Sequence, residues 1–178
     1  MTFTGQRDPQ QRLAKVPFDF TNKTVLDIGS NQGGMLFAIK DKIRWGVGVD
    51  YDYRMVNASN LIAKELDVKN TSFFVFDIDK DPHELLQDFL PEQKVDIVFL
   101  LAVCMWVKKW RELIDMCASI SENMLFESNG TDEQQREQYD YLQKKFNKVS
   151  SLAEQSDDDP LHKGRKLYLA SNDTVTFG

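Results

Sequence analysis

The feature of this sequence that most constrains its fold is a short apolar run that ends in a glycine-rich turn. Residues 24–28 (Thr-Val-Leu-Asp-Ile) are mostly β-branched or apolar, and the run stops at Gly29-Ser30-Asn31-Gln32-Gly33-Gly34. Beyond the turn, apolar residues recur at helical spacing, at Met35, Leu36, Ile39 and Ile43. This change of period across a glycine turn predicts a strand, a tight turn and a helix.

The same alternation of strand and helix continues along the chain. Further strands are predicted at 47–50, 73–76, 95–103, 123–127, 148–152 and 166–170. Helices are predicted at 9–16, from an Asp81-Pro82 cap to about Leu90, and from Thr131 to about Phe146. Another helix is predicted along an apolar stripe from Trp106 to Ile120. A helix after the second strand is predicted from its apolar face, which consists of Met55, Ala58, Leu61, Ile62 and Leu66. The pattern predicts an α/β, doubly wound, mostly parallel sheet. The last two strands are separated only by turn residues (157–160 and Gly164), which indicates an antiparallel end.

Length and charge narrow the functional classes. The chain has 178 residues, which suits one domain, with a lead-in over 1–23 and a core over 24–178. Its net charge of −6 argues against a protein that holds nucleic acid mainly by neutralising phosphates. No apolar run approaches the roughly 18 to 20 residues of a membrane span, and the polar start lacks a signal peptide's apolar stretch. We therefore expect a cytoplasmic monomer or homodimer with no membrane partner, and reduced thiols at Cys104 and Cys117.

Acidic residues lie at or near the carboxyl ends of three of the predicted strands. In a doubly wound sheet the ligand lies beyond the carboxyl ends of the strands, so these positions face the expected site. Asp27 stands two residues before Gly29, and Asp50 closes the second strand, where an acid accepts hydrogen bonds from ribose hydroxyls. Dinucleotide and adenosyl cofactors both use such a pair. Asp77, after the third strand, favours the adenosyl cofactor, because an acceptor there is well placed for the adenine amine.

Across residues 25–170 the chain resembles the class I S-adenosylmethionine-dependent methyltransferases. The match lies in the glycine motif at 25–34, Asp50 and Asp77. The resemblance implies a seven-stranded sheet in the order 3-2-1-4-5-7-6 with strand seven antiparallel, and S-adenosylmethionine as cofactor. It implies that Gly29 and Gly33 line the methionine part, Asp50 holds the ribose, and Asp77 with Ile78 holds the adenine. The remaining cofactor contacts predicted around these motifs are Asp27, Ser30, Asn31, Tyr51, Leu101 and Ala102.

One position departs from the motif of this family. Asn31 stands where the middle glycine is common, and Asn is the residue that best replaces glycine at positive φ. A dinucleotide-binding interpretation is weaker, because it also needs that glycine and would place Asp27 near a pyrophosphate. A purely structural glycine turn is the third interpretation. Arg12 is a candidate for the cofactor carboxylate, because a guanidinium fork matches carboxylate geometry. A surface role for Arg12 is the alternative.

The acceptor is expected beside the ends of the fourth and fifth strands. Cys104, Trp106, Asn129 and His162 are predicted substrate contacts, and Glu127 is predicted to orient a hydroxyl or amine acceptor. Trp106 either caps the pocket or begins a core stripe, and a core role is the commoner of the two. Asn129-Gly130 alternatively forms only a turn. The chain lacks an Asn/Asp-Pro-Pro-Tyr motif, which argues against amino-group methylation of bases in nucleic acid. It also lacks a carboxylate–histidine cluster, so we expect no metal.

The function predicted from the sequence is methyl transfer to a small molecule, at a hydroxyl oxygen. RNA is the alternative acceptor, because residues 103–110 are loosely similar to the corresponding segment of RNA 5′-phosphate-capping methyltransferases, with Lys108, Lys109 and Arg111 nearby. Nucleic acid is nevertheless an unexpected partner at this net charge. A third possibility is a non-catalytic subunit that binds the cofactor and activates a partner.

Overall fold

A computed structural model describes residues 7–156, 161–162 and 164–172 of the chain. Its strands are β1 (Thr24–Ile28), β2 (Trp45–Asp50), β3 (Thr71–Val75), β4 (Ile97–Leu101), β5 (Asn123–Glu127), β6 (Lys148–Ala153) and β7 (Leu167–Ser171). They form one seven-stranded sheet in the order β3-β2-β1-β4-β5-β7-β6. Strands β1 to β5 pair in parallel, whereas β7 runs antiparallel to both β5 and β6. The predicted fold class, strand order and antiparallel end are confirmed.

The helices connect the parallel strands and cover both faces of the sheet. They are α1 (Pro9–Leu13), α2 (Gly34–Ala38), α3 (Tyr53–Glu65), α4 (Leu85–Asp88), α5 (Trp110–Ile120) and α6 (Asp132–Lys145), with a 3₁₀ turn at Cys104–Trp106. Within the described ranges, none of the helices is long and apolar enough to cross a membrane.

Two apolar clusters hold the helices to the sheet. Successive side chains of a strand point to opposite faces, so Leu26 packs on one side and Val25 on the other. The Leu26 side includes Leu113 and Cys117 of α5, and the Val25 side includes Leu36 of α2. This double coverage explains why β1, β4 and β5 are buried on both faces. Because β1 to β5 run in parallel, their carboxyl ends lie at one edge of the sheet.

Helices α1 and α4 begin or end at positions other than those predicted. α1 ends at Leu13 rather than near Val16, because Val16 precedes Pro17 and the residue before a proline is disfavoured in a helix. Asp81 does not cap α4, which begins only at Leu85. The Asp81 carboxylate instead accepts a hydrogen bond from the Asp77 N–H at 2.8 Å. The Asp81 side chain, which the sequence predicts as a helix cap, therefore stabilises the turn after β3 instead.

The buried face of α3 is also rotated from the predicted one. Val56, Ser59 and Ala63 are buried, whereas the predicted core residues Leu61 and Leu66 are exposed.

The predicted start of α6 is confirmed, because Thr131 and Gln134 form a reciprocal capping box there. The predicted turn at 157–160 lies outside the described residues.

Candidate active site

A cavity of about 890 Å³ opens beyond the carboxyl ends of β1 and β4. It brings together many of the predicted site residues, namely Arg12, Asp27, Gly29, Ser30, Asn31, Leu101, Ala102, Trp106 and His162. It also includes Arg7 and Arg165, which the sequence did not single out. The position agrees with the rule that ligands of doubly wound sheets bind outside the carboxyl ends of the strands.

The glycine turn after β1 forms the floor of this cavity. Its Gly29 and Ser30 N–H groups donate to the Val49 carbonyl oxygen at 2.8 and 2.9 Å. Gly33 has φ +80°, and a Cβ there would lie 2.8 Å from both the Phe37 and Phe73 rings. Asn31 has φ 50°, which confirms that this asparagine takes the left-handed conformation of the glycine it replaces.

Asp50 holds the glycine turn from the end of β2. Its Oδ2 accepts from the Asn31 N–H at 3.0 Å, and its Oδ1 accepts from the Asp52 N–H at 2.9 Å. On the other side of the turn, the Ser59 hydroxyl donates to the Asn31 carbonyl oxygen at 3.0 Å. Asp50 does not itself line the cavity. Its predicted contact with ribose remains a prediction, and its observed role is to fix the turn.

Asp27 is the acidic side chain that faces the cavity from β1. Burial raises the pKa of its carboxyl to about 7, the nearby Arg12 guanidinium acts in the opposite direction, and Asp50 adds a smaller upward effect. The group therefore changes its charge near neutral pH. A cationic ligand beside it would favour the ionised form, because an opposite charge lowers the pKa of a carboxyl.

Glu127 lies behind two arginines rather than on the wall of the main cavity. The Arg7 guanidinium donates to both Glu127 carboxylate oxygens at 2.8 Å, and the Arg12 Nε atom lies 3.8 Å from Oε2. The Glu127 side chain is only 3% exposed. This arrangement corrects the hypothesis that Glu127 orients the acceptor directly. It positions Arg7 and Arg12, and both of these line the cavity.

The segment after β4 follows a different course from the predicted helix. Trp106 belongs to the 3₁₀ turn and is 69% exposed beside the cavity, so the core alternative is wrong, and its predicted contact with substrate stays a prediction. Cys104 was predicted to contact substrate, yet it is 1% exposed within the core. Burial raises the pKa of its thiol, as it does for Cys117, and both cysteines are free.

Asn129 is buried and does not line the cavity, which corrects its assignment as a substrate contact. Its Nδ2 group donates to the Ala102 carbonyl oxygen at 2.7 Å, and its Oδ1 accepts from the Met105 N–H at 3.0 Å. Its own backbone bonds to the side chain of Gln138 in α6. Asn129 is therefore a positioning residue for the segment that carries Trp106.

The predicted adenine and ribose contacts lie beside this cavity rather than on its wall. Asp77 pairs with Lys80 at 2.9 Å, and this hydrogen-bonded lysine is the main reason that the pKa of the Asp77 carboxyl is lowered. Ile78 is buried in the core, and Tyr51 is 74% exposed. The three residues follow β2 and β3, at the same edge of the sheet as the β1 turn. Their contacts with a cofactor remain predictions.

Arg7 is the clearest member of the site that sequence reasoning missed. Its partner Glu127 is 120 residues away, and no local motif links the two. The single available signal was a buried acid at the end of β5, since a buried carboxylate in a folded chain is usually paired with a cation.

Comparison with known proteins assigns the family. A family model described as a methyltransferase domain matches residues 19–159, well over half of the chain. The chain belongs to this methyltransferase family. Membership confirms the resemblance seen in the glycine motif and the strand-end acids, and it makes S-adenosylmethionine the cofactor. No curated protein matches the sequence.

Several solved structures share the fold of this methyltransferase domain at low identity. WbdD aligns with a TM-score of 0.73 and 19% identity, covering 94% of this chain and 42% of its own. The N-terminal domain of EvdMO1, crystallised with SAH and D-fucose, aligns with a TM-score of 0.73 and 11% identity, covering 92% of this chain and 82% of its own. Precorrin 8W decarboxylase from Methanobacterium thermoautotrophicum aligns with a TM-score of 0.66 and 11% identity, covering 92% of this chain and 88% of its own. The domain thus spans less than half of WbdD but most of the other two chains.

Proposed function

We propose that this methyltransferase domain transfers the methyl group of S-adenosylmethionine to a hydroxyl oxygen of a small molecule. The observation that supports the proposal is the cavity itself. It joins the glycine turn, the Asp27 carboxylate, the Arg12 guanidinium and the exposed Trp106 ring at one edge of the sheet.

The residues present fit the proposed cofactor. The cavity's volume of about 890 Å³ falls within the range of roughly 300 to 1,000 Å³ for small-molecule sites. The Asp27 carboxylate suits the ammonium group of the methionine part, and the Arg12 guanidinium suits its carboxylate. Ser30 is one of the residues that line the cavity, and its buried hydroxyl has no hydrogen-bond partner among the described residues. A buried polar atom of this kind is stabilised when a ligand supplies a partner.

The chemistry that the cofactor supplies is an electrophilic methyl group on a sulfonium. The residues of this chain then align the acceptor with the methyl group, exclude water and accept a proton. Ala102 has φ 58°, and its backbone is held by Asn129 and by its own N–H donation to the Glu127 carbonyl oxygen. This segment supplies Ala102 and Trp106 to the cavity wall. His162 lines the cavity and is our candidate to accept the proton of a hydroxyl acceptor.

Trp106 is the residue that favours a small acceptor with an apolar or ring-shaped face. An aromatic side chain that is 69% exposed at the mouth of a cavity offers a large flat contact surface. Sugars and aromatic alcohols both present such a face together with hydroxyl groups. D-fucose was present in the EvdMO1 crystals, and it is a convenient first probe of this class.

Calorimetry tests the cofactor, with SAM and SAH as ligands and NAD as a control. We expect the first two to bind and NAD not to bind, whereas absent SAM and SAH binding would refute the proposal. A mass-spectrometric screen of hydroxylated acceptors then tests the reaction, with Trp106→Ala and His162→Gln as variants. Product formed at equal rates by His162→Gln and by the unmodified chain would remove His162 from the mechanism.

The same two measurements separate the alternatives. Tight SAH binding without product from any acceptor would favour a non-catalytic cofactor-binding subunit. Methylation of RNA that weakens steeply with rising salt would favour the nucleic-acid alternative.

A further inference from the structure

The segment between β4 and α5 is held by side chains from two other loops. We call residues 102–109 the Trp106 loop. At its start, Asn129 bonds to the Ala102 carbonyl oxygen and to the Met105 N–H. Asn129 follows β5 and is itself anchored to Gln138 of α6. The first half of the Trp106 loop is therefore fixed to a buried part of the molecule.

The end of the Trp106 loop is held by a residue of the loop after β3. Asp79 accepts from the Lys108 N–H at 2.9 Å and from the Lys109 N–H at 3.0 Å, both through its Oδ1. The residues joined are about 30 positions apart. Because Lys109 directly precedes the first residue of α5, the carboxylate also lies near the positive end of that helix dipole. Between the two attachments, Trp106 remains largely exposed.

Asp79 is in turn bonded to the residue expected to contact the adenine. The Asp79 N–H donates to the Asp77 Oδ1 at 3.1 Å, and Lys80 occupies the Asp77 Oδ2 at 2.9 Å. Both oxygens of Asp77 are thus already engaged. A carboxylate oxygen accepts more than one hydrogen bond, so an adenine amine that donates to Asp77 becomes a further partner of the carboxylate that holds Lys80 and the Asp79 N–H.

We infer that Asp79 is a positioning residue that couples occupancy of the adenine end of the cofactor site to the placement of Trp106 at the acceptor end. The path runs from the Asp77 carboxylate to the Asp79 N–H, then from the Asp79 carboxylate to the backbone of the Trp106 loop. The inference rests on the proposed function, because it takes Asp77 as the adenine contact. It adds an order to the reaction, in which bound cofactor shapes the acceptor face.

Fluorine NMR of the full chain labelled with 5-fluorotryptophan tests this coupling without a known acceptor. The chain has three tryptophans, and the Trp106 resonance is assigned by its loss in Trp106→Phe. We expect SAH to shift the Trp106 resonance of the unmodified chain. In Asp79→Ala we expect calorimetry to show an SAH Kd within about threefold of the original, with no shift of the Trp106 resonance.

Two control variants separate coupling from a general structural effect. Asp79→Asn keeps an oxygen that can accept from Lys108 and Lys109, so it should restore the response. Asp19→Ala removes an exposed aspartate that also accepts a backbone N–H, from Thr21, but belongs to neither loop, so the response should persist. Where Asp79→Ala does not fold, Asp79→Ser supplies the comparison, because its hydroxyl is too short to reach the Lys108 and Lys109 N–H groups, and the response should be lost.

The possible failures are distinguishable. An unmodified chain that does not bind SAH refutes the proposed function and this inference together. An unmodified chain that binds SAH without any Trp106 response refutes the coupling alone. A Trp106 shift of equal size in Asp79→Ala shows that the cofactor acts on Trp106 directly, and loss of SAH binding in that variant places Asp79 in the cofactor site.

Discussion

The ion pair between Arg7 and Glu127 predicts that Glu127→Gln destabilises the fold more than an ordinary surface substitution. The Glu127 side chain is 3% exposed, and the Arg7 side chain is 18% exposed. The substitution keeps one acceptor oxygen but places an amide N–H group against the guanidinium. It also removes the negative charge that faces both Arg7 and Arg12.

The magnitude follows from what is lost and what is kept. Breaking a buried ion pair costs about 3–5 kcal/mol. One hydrogen bond survives and Arg7 is partly hydrated, so we expect a loss of about 2 kcal/mol of unfolding free energy. For a domain of this length, that loss lowers Tm by about 4–8 °C.

Urea and thermal unfolding measure this loss, and the chain offers a matched control. Arg44 and Glu92 form a similar two-point pair, at 2.7 and 3.3 Å, on the surface. Both side chains are about half exposed, so Glu92→Gln should change Tm little. Equal Tm values for the two variants would show that burial of the Glu127 pair contributes nothing, and the positioning role argued for Glu127 would lose its energetic basis.

Three further predictions concern the cofactor end of the site. Asp50→Ala removes the acceptor that holds the Asn31 N–H, so SAH should bind about 10- to 100-fold more weakly by calorimetry; unchanged affinity would refute its role. The folded pKa of Asp27, about 7, lies above the unfolded value, so the fold binds the extra proton. Stability should fall as pH rises from about 4 to 7, while affinity for the cationic cofactor rises through pH 7, and Asp27→Asn should flatten both profiles in pH-dependent unfolding and binding. Gly33→Ala forces a side chain into a left-handed position against Phe37, so urea unfolding should show a loss of about 2 kcal/mol.

Strands that carry their own boundary signals were predictable from the sequence. The bounds of β1 and β5 agree with the predicted ones, because β1 ends at a glycine turn and the apolar run Met124-Leu125-Phe126 of β5 lies between two polar residues. Asn31 was predictable for the same local reason, since its residue type decides its backbone conformation. These features depend on neighbours within a few residues, and the sequence displays such neighbours directly.

Helix α4 shows why a correct local signal can still fail. Asp81-Pro82 has the residue types of a helix start, yet the Asp81 carboxylate bonds to the Asp77 N–H. The Asp81 side chain can accept a hydrogen bond from a backbone N–H of a turn or of a helix start, and these two partners compete. The sequence does not show which partner is nearer. The missed α3 face has a related cause. Its apolar spacing is shared by two adjacent faces, and packing against β2 and β3 selects between them.

Residues beside strand ends divide into two kinds that their sequence positions do not distinguish. Asp27 and Asn129 both lie at the carboxyl edge of the sheet, and both were predicted as site residues. Asp27 faces the cavity, whereas Asn129 is buried because both polar ends of its side chain bond to the backbone of the Trp106 loop. Every residue except proline offers the same backbone donor and acceptor, so such a partner leaves no trace in the sequence. Only the path of the neighbouring loop decides whether a polar side chain at this edge binds a ligand or holds the wall of the site.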